Sequence, residues 1–134
     1  MKIIDRLKEH KIHISFEVFP PKTDEGFEKV ASAVDTMAQL EPAFISVTYG
    51  AGGGTSKNTA KIASHIKNDL GVLSLAHLTC ASSTKEEVRK VIHNLKEQGI
   101  ENILALRGDI PSDMPFPDKG RFRYAYELVE EIRK

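Results

Sequence analysis

Four times along this chain a short run of β-branched and aromatic residues gives way to an amphipathic helical stretch, at a period of about 30 residues. Strands separated by helices cannot pair as hairpins. They demand parallel pairing through right-handed crossovers, which makes the fold class α/β. Four parallel strands with external helices fit either a small doubly wound sheet or half of a (βα)8 TIM-type barrel. Both arrangements place ligands at the carboxyl ends of the strands, so the residues that follow each apolar run are the ones to read for chemistry.

The first ten residues read as a short amphipathic helix with Ile3, Ile4 and Leu7 on one side. Ile12 to Phe19 is the first strand, stopped by Pro20-Pro21. Phe27, Val30, Ala31, Val34 and Ala38 share one face of a helix that Pro42 closes. Phe44 to Thr48 is the second strand, followed by the glycine-rich segment Gly50 to Gly54. A helix with Ile62, Ala63, Ile66 and Leu70 inward stops at Gly71, and Leu73 to Leu78 is the third strand. Ser83-Thr84-Lys85-Glu86 reads as a capping box opening a helix that buries Val88, Val91, Ile92 and Leu95 and ends at Gly99. Asn102 to Leu106 is the fourth strand. A proline-containing loop then leads to a last helix with Tyr124, Ala125, Leu128, Val129 and Ile132 inward.

With 134 residues, the chain fits one domain with a core of its own, spanning residues 1–134. Lys and Arg number 19, as do Asp and Glu, and this balance gives no electrostatic reason to expect nucleic-acid binding. A single cysteine can form neither an internal disulfide nor a cysteine-based zinc site, so a reducing cytoplasm is the expected compartment. No apolar run is long enough for a signal peptide or a membrane span. His10, His13, His65 and His93 scatter, no second histidine stands at ligand spacing from His77, and no metal site is expected.

The four strand ends are unusual because a purely structural parallel strand would be apolar almost throughout. Glu17 interrupts the first. It reads either as the polar face of an edge strand or as a partly buried carboxylate with a raised pKa, suited to donating a proton. Tyr49 to Ser56 is a small-residue loop of the kind that lets backbone N–H groups approach an anion or a flat ligand, or is simply a tight turn. It is not a Walker A loop and only nearly matches G-x-G-x-x-G. His77 stands beside Thr79 as either a structural hydrogen bonder or a site residue. Arg107-Gly108-Asp109 lets the backbone pass close to a ligand with one charge of each sign nearby. Cys80 reads as a small buried residue with nothing adjacent to activate it.

Four stretches together resemble the methylenetetrahydrofolate reductase family. They are Ser15-Phe16-Glu17 with Phe19 to Thr23, Val47 to Gly53, Ala76 to Cys80, and Gly99-Ile100 with Asn102 to Asp109, in the family's order and spacing. The resemblance implies a (βα)8 barrel with FAD at the carboxyl face, flavin reduction by NADH or NADPH, and hydride transfer to 5,10-methylenetetrahydrofolate to give 5-methyltetrahydrofolate for methionine synthesis. It makes Glu17 the general acid that opens the folate's five-membered ring, and Asp109 the carboxylate that tunes the flavin and favours a cationic folate intermediate. Thr48, Tyr49, Ala51, His77, Leu106, Arg107, Gly108, Asp109, Tyr124 and Ala125 match flavin-contacting positions. Gly54 stands where many members have Ser. A whole barrel takes about 250 residues, so the chain is expected to form its amino-terminal half. An open half-barrel is expected to assemble as a homo-oligomer or to pair with a second half-barrel.

Overall fold

The computed structural model describes residues 1–50 and 56–134. Helix α1 (Ile3–Leu7) precedes strand β1 (Ser15–Val18), and a 3-10 turn at Asp24–Gly26 leads into α2 (Phe27–Ala38). Strand β2 (Phe44–Val47) is followed by α3 (Ser56–Ser64), which runs on into a π-helical turn at His65–Asp69. Strand β3 (Ser74–Thr79), helix α4 (Lys85–Glu97), strand β4 (Ile103–Leu106) and helix α5 (Ala125–Ile132) complete the order.

The strands form one sheet in the order β1-β2-β3-β4, every pair parallel. A doubly wound sheet reverses its strand order partway; here each crossover steps the same way. Right-handed crossovers that never reverse put all the helices on one face. The two architectures left open by the strand pattern are thereby separated, and the arrangement is that of half a (βα)8 barrel.

The register shows which side chains face the helices. Val18 pairs with Val47, Val47 with Ala76, and Ala76 with Ile103. With the alternate residues Phe16, Ile45, Leu78 and Ala105 they pack against buried Val34, Ile62, Ile66, Val88, Leu95 and Leu128 in two adjoining clusters. Each of the larger side chains contributes roughly 1.5–3 kcal/mol by leaving water. The other sheet face carries Glu17, Ser46, Leu75, His77, Thr79, Leu104 and Leu106, and among the described residues no helix packs on it. Leu104 and Leu106 stay 40% and 36% exposed there, as befits residues made for a barrel interior.

Several boundaries differ from those read in the sequence. The first strand is shorter than Ile12 to Phe19: its register with β2 runs from Ser15–Phe44 to Val18–Val47, and Ile12 and Phe19 beyond it are exposed. In α1 only Ile3 is buried, its N–H donating to Asn102 Oδ1 at 2.9 Å, while Ile4 and Leu7 face solvent. The capping box of α4 sits one residue later than expected. Thr84 Oγ1 accepts from the Glu87 N–H at 3.2 Å, and the Thr84 N–H donates back to Glu87 Oε2 at 2.8 Å. In α5 Leu128 is buried, but Tyr124 precedes the helix as its N-cap and Val129 is exposed.

Candidate functional site

The helix-free face of the sheet brings three polar side chains together. Parallel register sets Glu17 on β1 beside Ser46 on β2. Ser46 in turn is level with Leu75, two residues before His77 on the same face of β3. Ser46 Oγ donates to Glu17 Oε2 at 3.1 Å, and His77 Nε2 lies 3.5 Å from the same oxygen. Ser46 and His77 are buried, 4% and 9% exposed, whereas the Glu17 side chain is 53% exposed. Burial pushes the His77 pKa below its ordinary value, and the Glu17 charge opposes this with the smaller effect. His77 is therefore held toward its neutral form, a close polar neighbour of Glu17 rather than a fixed cation. Of the two readings made of Glu17, the structure shows the first: β1 is an edge strand and the residue is exposed on it rather than partly buried, though the Ser46 hydrogen bond draws its carboxyl into a polar cluster.

A second cluster lies at the carboxyl ends of β3 and β4. Thr79, two residues beyond His77, lines a groove of about 410 Å³ together with Tyr49, Ser82 and the Leu106–Asp109 segment. That size is within the range of small-molecule sites. Gly108 shapes the groove. Its φ of +82° is open to glycine, and a Cβ there would stand 2.8 Å from the Cβ of Thr79. The close approach lets the Arg107 carbonyl accept from the N–H groups of Cys80 and Ala81, at 3.2 and 2.9 Å, which ties the end of β4 to the loop after β3. Arg107 and Asp109 stay exposed at the rim. Burial pushes the Tyr49 hydroxyl above its ordinary pKa, a hydrogen bond with Ser56 opposing and the Glu87 charge adding to it, so the phenol keeps its proton.

The expected site residues thus fall into groups. The groove gathers Tyr49, Leu106, Arg107, Gly108 and Asp109; the sheet face gathers Glu17 and His77. Thr48 is half-buried just beyond β2, its carbonyl accepting from Thr59 Oγ1 at 3.0 Å. Tyr124 and Ala125 do not line the groove: the Tyr124 ring stacks on Tyr126 with centroids 6.0 Å apart and tilts against Phe116 at 5.6 Å. Ala51 and Gly54 lie outside the described residues. Ser46, Thr79 and Ser82 were not singled out from the sequence, and the signal that exposes the first is register rather than motif. Among the described residues no group of three or more His, Cys, Asp or Glu could hold a metal ion, and no helix is long and apolar enough to cross a membrane.

The chain is similar in sequence to known proteins. The family model described as "Methylenetetrahydrofolate reductase" matches residues 2–134. The chain is 37% identical to methylenetetrahydrofolate reductase (NADH) 1 of Arabidopsis thaliana, covering 99% of this chain and 24% of that protein. It is 39% identical to the 5,10-methylenetetrahydrofolate reductase of Pectobacterium carotovorum, with 92% and 40% covered, and 37% identical to that of Escherichia coli, again with 92% and 40%. The chain spans between a quarter and two fifths of the length of these curated relatives. It belongs to the methylenetetrahydrofolate reductase family.

Proposed function

We propose that this chain supplies the proton-donating and flavin-contacting half of a site that reduces 5,10-methylenetetrahydrofolate to 5-methyltetrahydrofolate with NADH or NADPH. The observation that carries the reading is the Glu17–Ser46–His77 cluster set beside the groove at the carboxyl ends of β3 and β4. Such a groove suits a flat, polar-edged ring system. Tyr49 and Leu106 offer apolar surface, Thr79 and Ser82 offer hydroxyls, and Arg107 and Asp109 offer one charge of each sign. FAD, when bound, supplies the acceptance of hydride from the nicotinamide and its delivery to the folate.

The chain's own residues do the rest. Glu17 gives a proton to the folate's five-membered ring as it opens, which splits the reduction into an easier pair of steps. Asp109 places negative charge where the ring-opened folate is cationic. Gly108 keeps the backbone close to Thr79, so that Arg107 and Asp109 flank the groove rather than fill it.

Glu17→Gln in the FAD-loaded protein tests this. The expected result is loss of folate reduction by a factor of about 10²–10⁴, with flavin bleaching by NADH unchanged. Normal folate reduction by that variant removes Glu17 as the acid.

A second reading rests on the sheet face that no described helix covers and on the outer edges of β1 and β4, which pair with no further strand among the described residues. Here the chain is a flavin-binding or protein-interaction module without turnover, which pairs with a second copy or with another half-barrel. A yellow protein that NADH bleaches supports the reductase. A colourless protein that takes up no FAD supports the module, and light scattering then reads the pairing.

A further inference from the structure

We propose that Ser46 is a positioning residue that decides which oxygen of Glu17 carries the acid proton. The proposal rests on the reading of Glu17 as proton donor. Both contacts to the carboxyl fall on one oxygen: Ser46 Oγ at 3.1 Å and His77 Nε2 at 3.5 Å each meet Oε2. Among the described residues no hydrogen bond or ion pair is made to Oε1. A serine hydroxyl has one proton to give, and here it is given to Oε2, which makes that oxygen an acceptor. With His77 in its Nε2–H tautomer, so that no acceptor nitrogen stands at Oε2, the proton of the carboxylic acid resides on Oε1. When Glu17 acts, the Oε1–H bond breaks and its proton passes to the nitrogen of the folate's five-membered ring whose bond to the methylene carbon breaks as the ring opens, that bond's electron pair forming the new N–H bond, and the resulting carboxylate keeps the Ser46 hydrogen bond.

Ser46 is well placed for this work. Its backbone is paired on both sides, to β1 and to β3, and its neighbours Ile45 and Val47 are fully buried. Its hydroxyl is therefore delivered from a rigid central strand to a carboxylate on an edge strand, the side of the pair that has freedom to move. A purely space-filling residue at position 46 would be served as well by alanine; the hydroxyl matters only for what it touches.

NMR of the 134-residue chain, with glutamate labelled in carbon-13, reads the contact directly. The wild-type Glu17 side chain is expected to show the three-bond couplings of a single rotamer and a Cδ shift displaced from that of a free glutamate. Ser46→Ala is expected to abolish both, leaving averaged couplings, while Ser46→Thr, which keeps the hydroxyl, restores them. Should Ser46→Ala fail to fold, Ser46→Cys keeps the volume with only a weak S–H donor, and averaged Glu17 couplings in it support the proposal equally. Wild-type couplings in the Ala or Cys variant overturn it. In the FAD-loaded protein, Ser46→Ala is expected to slow the folate step by a factor of about 10² through misplacement of the acid, with flavin reduction by NADH unchanged; an unchanged folate rate overturns the proposal. The two failures are separable. If Glu17→Gln reduces folate normally, the acid reading falls. If Glu17→Gln is blocked while Ser46→Ala is normal in both assays, Ser46 alone loses its role.

Discussion

His65 reaches across 30 residues of chain to Asp35, its Nε2 lying 2.7 Å from the Asp35 carboxylate. Its Nδ1 meets Asp69 at the same distance, so one imidazole clamps the π-helical turn after α3 to α2. Burial pushes the His65 pKa down, but the hydrogen bonds and charges of Asp69 and Asp35 together outweigh it and raise the value above 6.5. A raised folded-state value means stability that is complete below the unfolded value and lost as pH rises through the folded one. Urea midpoints are therefore expected to fall as pH rises through and above 6.5. His65→Gln should flatten that slope and cost under about 1 kcal/mol at the acid end, because both carboxylates reach solvent. A variant with the wild-type slope would show that the clamp does not titrate in this range.

Glu131 works with the opposite sign. Hydrogen bonds from Arg89 at 2.7 Å and Lys134 at 2.6 Å, helped by their charges and opposed by burial, hold its carboxyl at about 2 instead of 4.5. A depressed value gives stability that is present above the unfolded pKa and lost as pH falls toward the folded one, here from 4.5 down to about 2. Glu131→Gln is expected to cost about 1 kcal/mol near neutrality, since Arg89 and Lys134 are largely exposed. The loss should disappear in an acid titration followed by circular dichroism, because Glu131 is then protonated in both forms.

Gly108→Ala asks whether the groove depends on a missing side chain. The added Cβ meets both a backbone φ of +82° and the Thr79 side chain at 2.8 Å. Together these are expected to cost about 2–3 kcal/mol in urea unfolding. Thr79→Ser should give little relief, because the nearest atom is the Thr79 Cβ, which serine retains. A Gly108→Ala protein of wild-type stability would mean that the segment bends elsewhere without strain.

Glu41 adopts φ +51°, the one positive value outside glycine among the described residues. Left-handed backbone costs an ordinary L-residue roughly 1–2 kcal/mol, and asparagine tolerates it better. Glu41→Asn is therefore expected to raise stability by about 0.5–1 kcal/mol, read as an upward shift in Tm. Glu41→Gly should gain less, because glycine also loosens the unfolded chain.

The alternation of strand and helix was plain in the sequence because periodicity is a local property. Phe27 to Ala38 and Lys85 to Glu97 needed only their own residues to be read as helices. Where the sequence offered a tie, it did not decide. Ser83-Glu86 and Thr84-Glu87 both satisfy the capping-box spacing, and the outcome turned on Thr84 taking the extended conformation, with φ −71° and ψ 159°. Ile12 and Ile14 looked like strand but lie before the β1–β2 register; the Ile14 carbonyl still accepts from the Ala43 N–H, yet both side chains are exposed, so their apolar character found nothing to pack against. Ser46 shows the same limit at the site. It is 29 residues from Glu17, and only the pairing of β1 with β2 gives its hydroxyl a carboxylate to hold. Glu17, Arg107 and Asp109 could be noticed because charge at the end of an apolar run stands out within one segment.

The unreversed strand order bears on how such a chain acquires its shape during synthesis. Each strand docks beside the one made just before it, so no strand has to wait for a later one to be inserted between existing neighbours. The sheet can be laid down in the order of translation, each new helix closing over its own strand as it leaves the ribosome. The growing rim is always the most recently made strand, which makes extension at β4 an addition to finished structure rather than a rearrangement of it.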